Sequence, residues 1–149
     1  MANLPDTALL LDNQLCFGLY AASRKVIQLY APLLTRVDLT YTQYITLLVL
    51  WEHHILPVKE LGNYLILDTG TLTPLLKKLE KKGLVTRTRS AKDERSVLIE
   101  VTEKGQAIRA DALGFLPTML CAGCLSPQEL IELREMVKRL VDGLNLPAR

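Results

Sequence analysis

Four leucines, Leu72, Leu75, Leu76 and Leu79, recur at i, i+3, i+4 and i+7, the spacing of one buried helix face. Asp68 stands where an N-cap belongs, and Gly83 where a left-handed residue ends a helix. Two runs of alternating polarity follow at once, residues 85–89 and 97–101, which predict a pair of strands. Between them lies a polar loop, Ser90-Ala91-Lys92-Asp93-Glu94-Arg95-Ser96. A helix that feeds directly into a β-hairpin leaves few architectures open. Pro74 admits two starts for that helix: Asp68 caps it and Pro74 kinks its first turns, or Thr73 is the cap with Pro74 at the first helical position.

The flanks narrow the choice. Residues 7–34 read as one long helix with apolar Leu11, Leu15, Leu19, Val26, Ile27, Leu33 and Leu34 on more than one face, and Pro32 bends or ends it. Thr40 and Gln43 have capping-box spacing, and Ile45, Leu48, Val49 and Glu52 follow. Pro57 opens a short helix containing Val58, Leu61, Leu65 and Ile66. Thr102 caps a helix that runs toward Cys121, with a disturbance at Pro117. Ser126, Pro127 and Glu129 start a last helix carrying Leu130, Leu133, Val137, Leu140, Val141 and Leu144. The order is four helices, a hairpin and two helices. The fold class is mainly α with a small β-hairpin wing, a single domain over 1–149 whose winged helix-turn-helix spans about 40–101. The apolar helices at about 7–34 and 103–145 lie outside that block and are expected to pair with those of a second subunit. A composition that is 49% hydrophobic with mean hydropathy +0.18 agrees with a subunit interface.

Net charge is only +2, but residues 77–95 hold eight lysines and arginines against three acidic residues, a local +5 that leaves the rest at −3. Such a block is the footprint of phosphate binding; its plain alternative is a solvated charged face. No apolar run approaches a membrane span. The first residues carry Asp6 and no basic cluster, a poor signal peptide, so the cytosol is expected, and three cysteines there do not suggest a structural disulfide framework. No Gly-rich phosphate loop, Ser-His-Asp set or zinc-ligand pattern occurs. His53 and His54 are adjacent and point apart on a helix. The chain is therefore expected to use no cofactor, no metal and no catalytic machinery.

The 68–83 helix offers Thr69, Gly70, Thr71, Thr73, Pro74, Lys77 and Lys78 opposite its leucine stripe. Short hydroxyl residues near a helix start suit base edges and thymine methyls, glycine allows close backbone approach, and the lysines suit phosphates. Arg87 and Arg89 on the first strand, with Asp93, Arg95 and Ser96 in the loop, supply a thin basic protrusion of the kind that enters a minor groove. Asp93, two residues before Arg95, is placed to hold its guanidinium. These residues predict double-stranded DNA as the partner.

The stretches Val58-Lys59-Glu60-Leu61-Gly62, Gly70-Thr71-Leu72-Thr73-Pro74-Leu75-Leu76-Lys77-Lys78-Leu79-Glu80, Gly83-Leu84-Val85-Thr86-Arg87 and Asp93-Glu94-Arg95-Ser96 resemble the MarR family of winged-helix regulators over nearly the whole chain. Gln14-Leu15-Cys16-Phe17, Tyr41-Thr42-Gln43-Tyr44 and Trp51-Glu52-His53 are similar to its organic hydroperoxide resistance repressors, OhrR, of the two-cysteine type. The resemblance implies a homodimer on operator DNA that lets go when Cys16 is oxidised by an organic hydroperoxide. It also assigns Tyr30 and Tyr41 to support the Cys16 thiolate. Peroxide attack needs a thiolate, and tyrosine hydroxyls donate hydrogen bonds without adding charge. Tyr30 lies 14 residues from Cys16 on the same predicted helix, about 21 Å at helical rise, so a partner subunit's helix must bring the two together. Without the resemblance, Cys16 reads as a small core residue.

Cys121 and Cys124 form Cys-x-x-Cys. The resemblance implies a resolving cysteine in this region; position favours Cys121, and Cys124 stays open as resolving, redundant or inert. Two rival functions remain. One is a MarR-type regulator released by a non-covalent lipophilic or phenolic ligand. The other is a small thiol–disulfide oxidoreductase using Cys121 and Cys124, against which Cys121 ends a predicted helix, where the dipole disfavours a thiolate.

Overall fold

The computed structural model describes residues 6–91, 93, 95–115 and 125–144. Two short 3-10 turns, Asp6–Leu9 and Leu11–Asn13, precede α1 (Leu15–Arg36), α2 (Tyr41–His53), β1 (Ile55–Pro57), α3 (Val58–Leu65), α4 (Thr69–Lys81), β2 (Val85–Arg89), β3 (Val97–Val101), α5 (Glu103–Leu113) and α6 (Pro127–Leu144). The single helix expected over 7–34 is corrected at both ends. Its first eight residues, 7–14, lie outside the helix and are held as tight turns by side-chain amides: Asn13 donates to the Thr7 carbonyl at 2.7 Å and Gln14 to that of Ala8 at 2.6 Å. Pro32 lies inside α1 and does not end it, and the helix runs four residues further. The helix expected to run from Thr102 toward Cys121 ends at Leu113, with Gly114 as its C-cap. Pro117, Cys121 and Cys124 lie outside the described residues.

The expected hairpin is part of a three-stranded antiparallel sheet in the order β1-β3-β2, with Leu56 opposite Ile99 and Arg87 opposite Ile99 on the other side. The third strand has no sequence signal of its own, because it is three residues long and its last, Pro57, is also the N-cap of α3. Asp68 is the N-cap of α4, which settles the alternative at Pro74 in favour of a proline within the helix.

The core is the leucine stripe and what it meets. Leu72, Leu75, Leu76 and Leu79 of α4 are buried with Leu47 and Leu50 of α2, Leu61 of α3, and Val85 and Ile99 of the sheet. Each fully buried side chain of this size contributes roughly 1.5–3 kcal/mol. α2 turns Tyr44, Leu47, Leu50 and Trp51 inward, whereas Leu48 is exposed. The Trp51 indole donates to the Gly105 carbonyl at 3.0 Å. Only glycine fits at 105, because a Cβ there would sit 2.2 Å from the Leu84 carbonyl oxygen. Trp51 and Gly105 thus lock α2, α5 and the entry to β2 together. Capping holds the helix ends: Thr40 and Gln43 form the reciprocal capping box, and Thr102 accepts from the Gly105 amide.

Two regions stand apart. α6 has no buried residue, although Ile131, Leu133, Met136, Val137, Val141 and Leu144 are large and apolar. At the turn between α3 and α4, Ile66 adopts φ 55, ψ 43 with its side chain 65% exposed, while Leu67 donates to the Gly62 carbonyl at 3.0 Å. This is a helix end that usually takes glycine.

Candidate functional site

The first turn of α4 is built by its cap. The Asp68 carboxylate accepts from the Thr71 amide at 2.9 Å and from the Thr71 hydroxyl at 2.8 Å. These two bonds, the amide first, hold the Asp68 carboxyl below its ordinary range. Thr73 donates its hydroxyl proton to the Thr69 carbonyl at 2.8 Å. Thr71 and Thr73 therefore offer an outside partner their methyl groups and oxygen lone pairs, not their protons. Thr69, Gly70, Thr71 and Pro74 are exposed. Pro74 has no amide hydrogen, so the Gly70 carbonyl, four residues earlier, receives no helical hydrogen bond from it.

The wing tip closes on itself. Ser96 donates to the Asp93 carbonyl at 2.8 Å, Ser90 to the Ser96 carbonyl at 2.9 Å, and the Asp93 amide to the Ser90 hydroxyl at 3.3 Å. The Asp93 carboxylate accepts from the backbone amide of Arg95 at 3.0 Å. The expectation that Asp93 grips the Arg95 guanidinium is corrected accordingly: Asp93 fixes the backbone, and the Arg95 side chain stays exposed.

Thr69 and Thr73 of α4 face Arg87, Asp93, Arg95 and Ser96 across a cleft of about 340 Å³. The fold thus brings together six of the predicted residues from α4, β2 and the wing loop. It adds Lys59 of α3, which the sequence reading quoted within the family resemblance without assigning it a role. Arg87 is half-buried, lies 3.5 Å from the Glu80 carboxylate, and has its Nε buried without a hydrogen-bond partner. Arg89 and Lys77 are exposed and outside this cleft. Lys78 lies elsewhere, lining a second cleft with Lys81 and Lys82 beside the α1–α2 turn. There Lys82 pairs with the Asp38 carboxylate at 3.0 Å and also donates to the Asp38 carbonyl.

The second group of predicted residues is aromatic. The α1–α2 corner stacks Tyr30 against Tyr41 with ring centres 5.4 Å apart, and Tyr44 joins them at 5.6 Å and 6.5 Å. Burial raises the Tyr30 hydroxyl above its ordinary value, and Tyr41 adds to the effect. Burial does the same at Tyr44, followed by Tyr30 and Tyr41. Cys16 is the second residue of α1, free and exposed. Both Cys16 and Tyr30 belong to α1, so within one chain they are about 21 Å apart along the helix and do not meet. His53 stacks on Tyr64 with ring centres 4.7 Å apart, and no group of three metal-ligating side chains occurs among the described residues. No helix among them is long and apolar enough to cross a membrane.

Comparison with known proteins gives this arrangement a context. The sequence profile of the SarA/Rot transcriptional regulators matches residues 28–111. The organic hydroperoxide resistance transcriptional regulator of Bacillus subtilis is 47% identical over 135 residues, covering 91% of this chain and 92% of the relative. Reduced AbfR bound to DNA, a protein of Staphylococcus epidermidis, superposes with a TM-score of 0.73 at 35% identity, covering 90% of this chain and 94% of that one. The disulfide form of AbfR superposes with a TM-score of 0.65 at 38% identity, covering 88% and 92%. The first of these relatives is a transcriptional regulator, and the reduced AbfR structure is a complex with DNA. On the strength of a winged-helix fold, a matching profile and near full-length identity, the chain belongs to the MarR/SarA-type winged-helix transcriptional regulators, the family of the organic hydroperoxide resistance regulators.

Proposed function

We propose that this chain is a peroxide-sensing repressor, a homodimer that holds double-stranded operator DNA and releases it when an organic hydroperoxide oxidises Cys16. The observation that carries the reading is the split site: Tyr30 and Tyr41 are stacked at one end of α1 while Cys16 stands free at the other. A second protomer completes it by laying its α1 antiparallel, and the unburied apolar faces of α1 and α6 supply the surface for that pairing. The first turn of α4 enters the major groove, with Thr69, Gly70, Thr71, Thr73 and Pro74 against base edges. Arg95, set by Asp93 and Ser96, enters the minor groove, and Lys77, Lys78, Arg87 and Arg89 serve phosphates. The work takes place in the cytosol, with no cofactor and no metal.

In the first step the Cys16 thiolate attacks one peroxide oxygen; an S–O bond forms, the O–O bond breaks, and the leaving alkoxide takes a proton to become an alcohol. Sulfur loses two electrons and the peroxide gains them. The resolving thiol, Cys121 of the second protomer, then attacks the sulfenic sulfur, expelling water and leaving a disulfide; Cys124 is the alternative partner.

The test is a gel shift on the protein's own promoter with cumene hydroperoxide and then dithiothreitol. Wild type is expected to dissociate and return. Cys16→Ser is expected to bind normally and ignore the peroxide. Non-reducing electrophoresis should show a covalent dimer that vanishes in Cys16→Ser and in Cys121→Ser. Loss of that dimer in Cys124→Ser alone would transfer the resolving role. A second reading has one observation in its favour, a mostly apolar cleft of about 330 Å³ between α2 and α5 lined by Tyr44, Leu48, Trp51, Ala112 and Leu113 together with Glu52 and Arg109, which suits a lipophilic ligand with a polar group. Release of DNA by a phenolic compound from Cys16→Ser would support it.

A further inference from the structure

Tyr30 and Tyr41 are only partly buried, and neither is positioned by a hydrogen bond among the described residues. What they share is Tyr44. It lies one helical turn after Tyr41 on α2 and is 5% exposed. Its ring centre is 5.6 Å from Tyr30 and 6.5 Å from Tyr41 on one side, and 6.3 Å from Trp51 and 5.9 Å from Phe115 on the other. Trp51 is in turn fixed to α5 by its bond to the Gly105 carbonyl. Tyr30 and Tyr41 both pack against the core, and among the ring contacts of the described residues Tyr44 is the one that links them to Trp51 and Phe115.

We propose that Tyr44 is a positioning residue for the reaction at Cys16: its buried ring sets the tilt of Tyr30 and Tyr41, and so aims their hydroxyls at the thiol a partner protomer delivers. This rests on the reading of Tyr30 and Tyr41 as donors given above. A hydroxyl at the tip of a phenol swings far for a small tilt of its ring, and a misplacement of about 1 Å in a reacting site costs up to about 100-fold in rate. The role belongs to the ring, which makes the contacts; the Tyr44 hydroxyl has no part in it.

The experiment compares full-length Tyr44→Leu and Tyr44→Phe with wild type and with Tyr30→Phe and Tyr41→Phe. The readouts are the second-order rate of Cys16 sulfenic acid formation with cumene hydroperoxide, the pH profile of Cys16 alkylation, and the operator affinity of the reduced protein. Tyr44→Phe is expected within about twofold of wild type. Tyr44→Leu is expected to react about tenfold more slowly, with its alkylation profile moved to higher pH and its operator affinity unchanged within about threefold. If Tyr44→Leu does not fold, Tyr44→Met, which keeps the bulk but not the flat ring, carries the same expectation. A Tyr44→Leu or Tyr44→Met protein that reacts at the wild-type rate while Tyr30→Phe and Tyr41→Phe are slow overturns the proposal alone. Wild-type rates in Tyr30→Phe and Tyr41→Phe overturn the donor reading and the proposal with it.

Discussion

The block from α2 to α5 and the helix α6 are built from the same kinds of side chain and use them differently. In the block, Leu47, Leu50, Leu61, Leu76 and Leu79 have no exposed surface, helix ends are capped, and Trp51 finds an acceptor for its indole. In α6 an equally regular amphipathic pattern, started by Ser126 and Glu129 in reciprocal hydrogen bonds, buries no residue fully. The difference shows that amphipathic period tells which face of a helix wants cover, but not who provides it. The block covers itself; on α6 only Leu130 and Leu140 are even partly covered among the described residues.

The largest expected effect tests the self-sufficient half. Leu76→Ala removes a fully buried side chain and should lower stability by about 3 kcal/mol in urea unfolding; a loss under about 1 kcal/mol would mean that the stripe is not the core. The next tests the other half. Ile131→Asp with Val141→Asp should leave the block folded by circular dichroism, yet give a monomer in sedimentation and weaken operator binding by roughly 2–3 kcal/mol. A stable dimer would move the interface off α6. A residue with an external role inside the self-sufficient half comes third: Arg95→Ala should weaken operator binding by about 1–3 kcal/mol without moving the thermal midpoint, because the wing tip is held by backbone bonds that this change keeps. An unchanged affinity would take the wing out of the interface.

The smallest effect concerns the cap of α4. Because the Asp68 carboxyl lies below its ordinary range in the folded chain, its contribution is complete above the unfolded carboxylate pKa and is lost as pH falls through the folded one. Helicity and operator binding should therefore fall slightly more steeply on acidification in wild type than in Asp68→Asn, which caps without titrating. Superimposable pH profiles would leave the cap without an electrostatic part.

The sequence was readable where a residue's surroundings lie close along the chain. The α4 stripe, the Asp68, Thr40 and Thr102 caps, and Gly83 with its φ of 72° answer to local rules. α2 was not readable in the same way: apolar residues surround it, so period alone does not tell that Tyr44 and Trp51 face inward while Leu48 faces out. β1 hid behind its brevity and its proline. Asn13 and Gln14 delayed the start of the N-terminal helix through side-chain bonds that no hydrophobic period records. At the site, the threonine and wing residues could be named from the chain, but their meeting across one cleft with Lys59 is a product of the tertiary fold. The stacking of Tyr30 on Tyr41 followed from no spacing at all; the resemblance named both residues, and the α1–α2 corner joined them.

Ile66 shows where this chain has room to change. A β-branched residue in the left-handed region is held against its own preference, and a side chain left mostly in water gains little from the core. Glycine at that position would release the backbone from this strain, at a gain of about 1 kcal/mol. A neighbouring substitution of ordinary cost, near 1 kcal/mol on average, would then be offset. The turn that introduces α4 therefore holds back stability that a single substitution would set free, and lineages that place glycine there should carry more variation in the core around it.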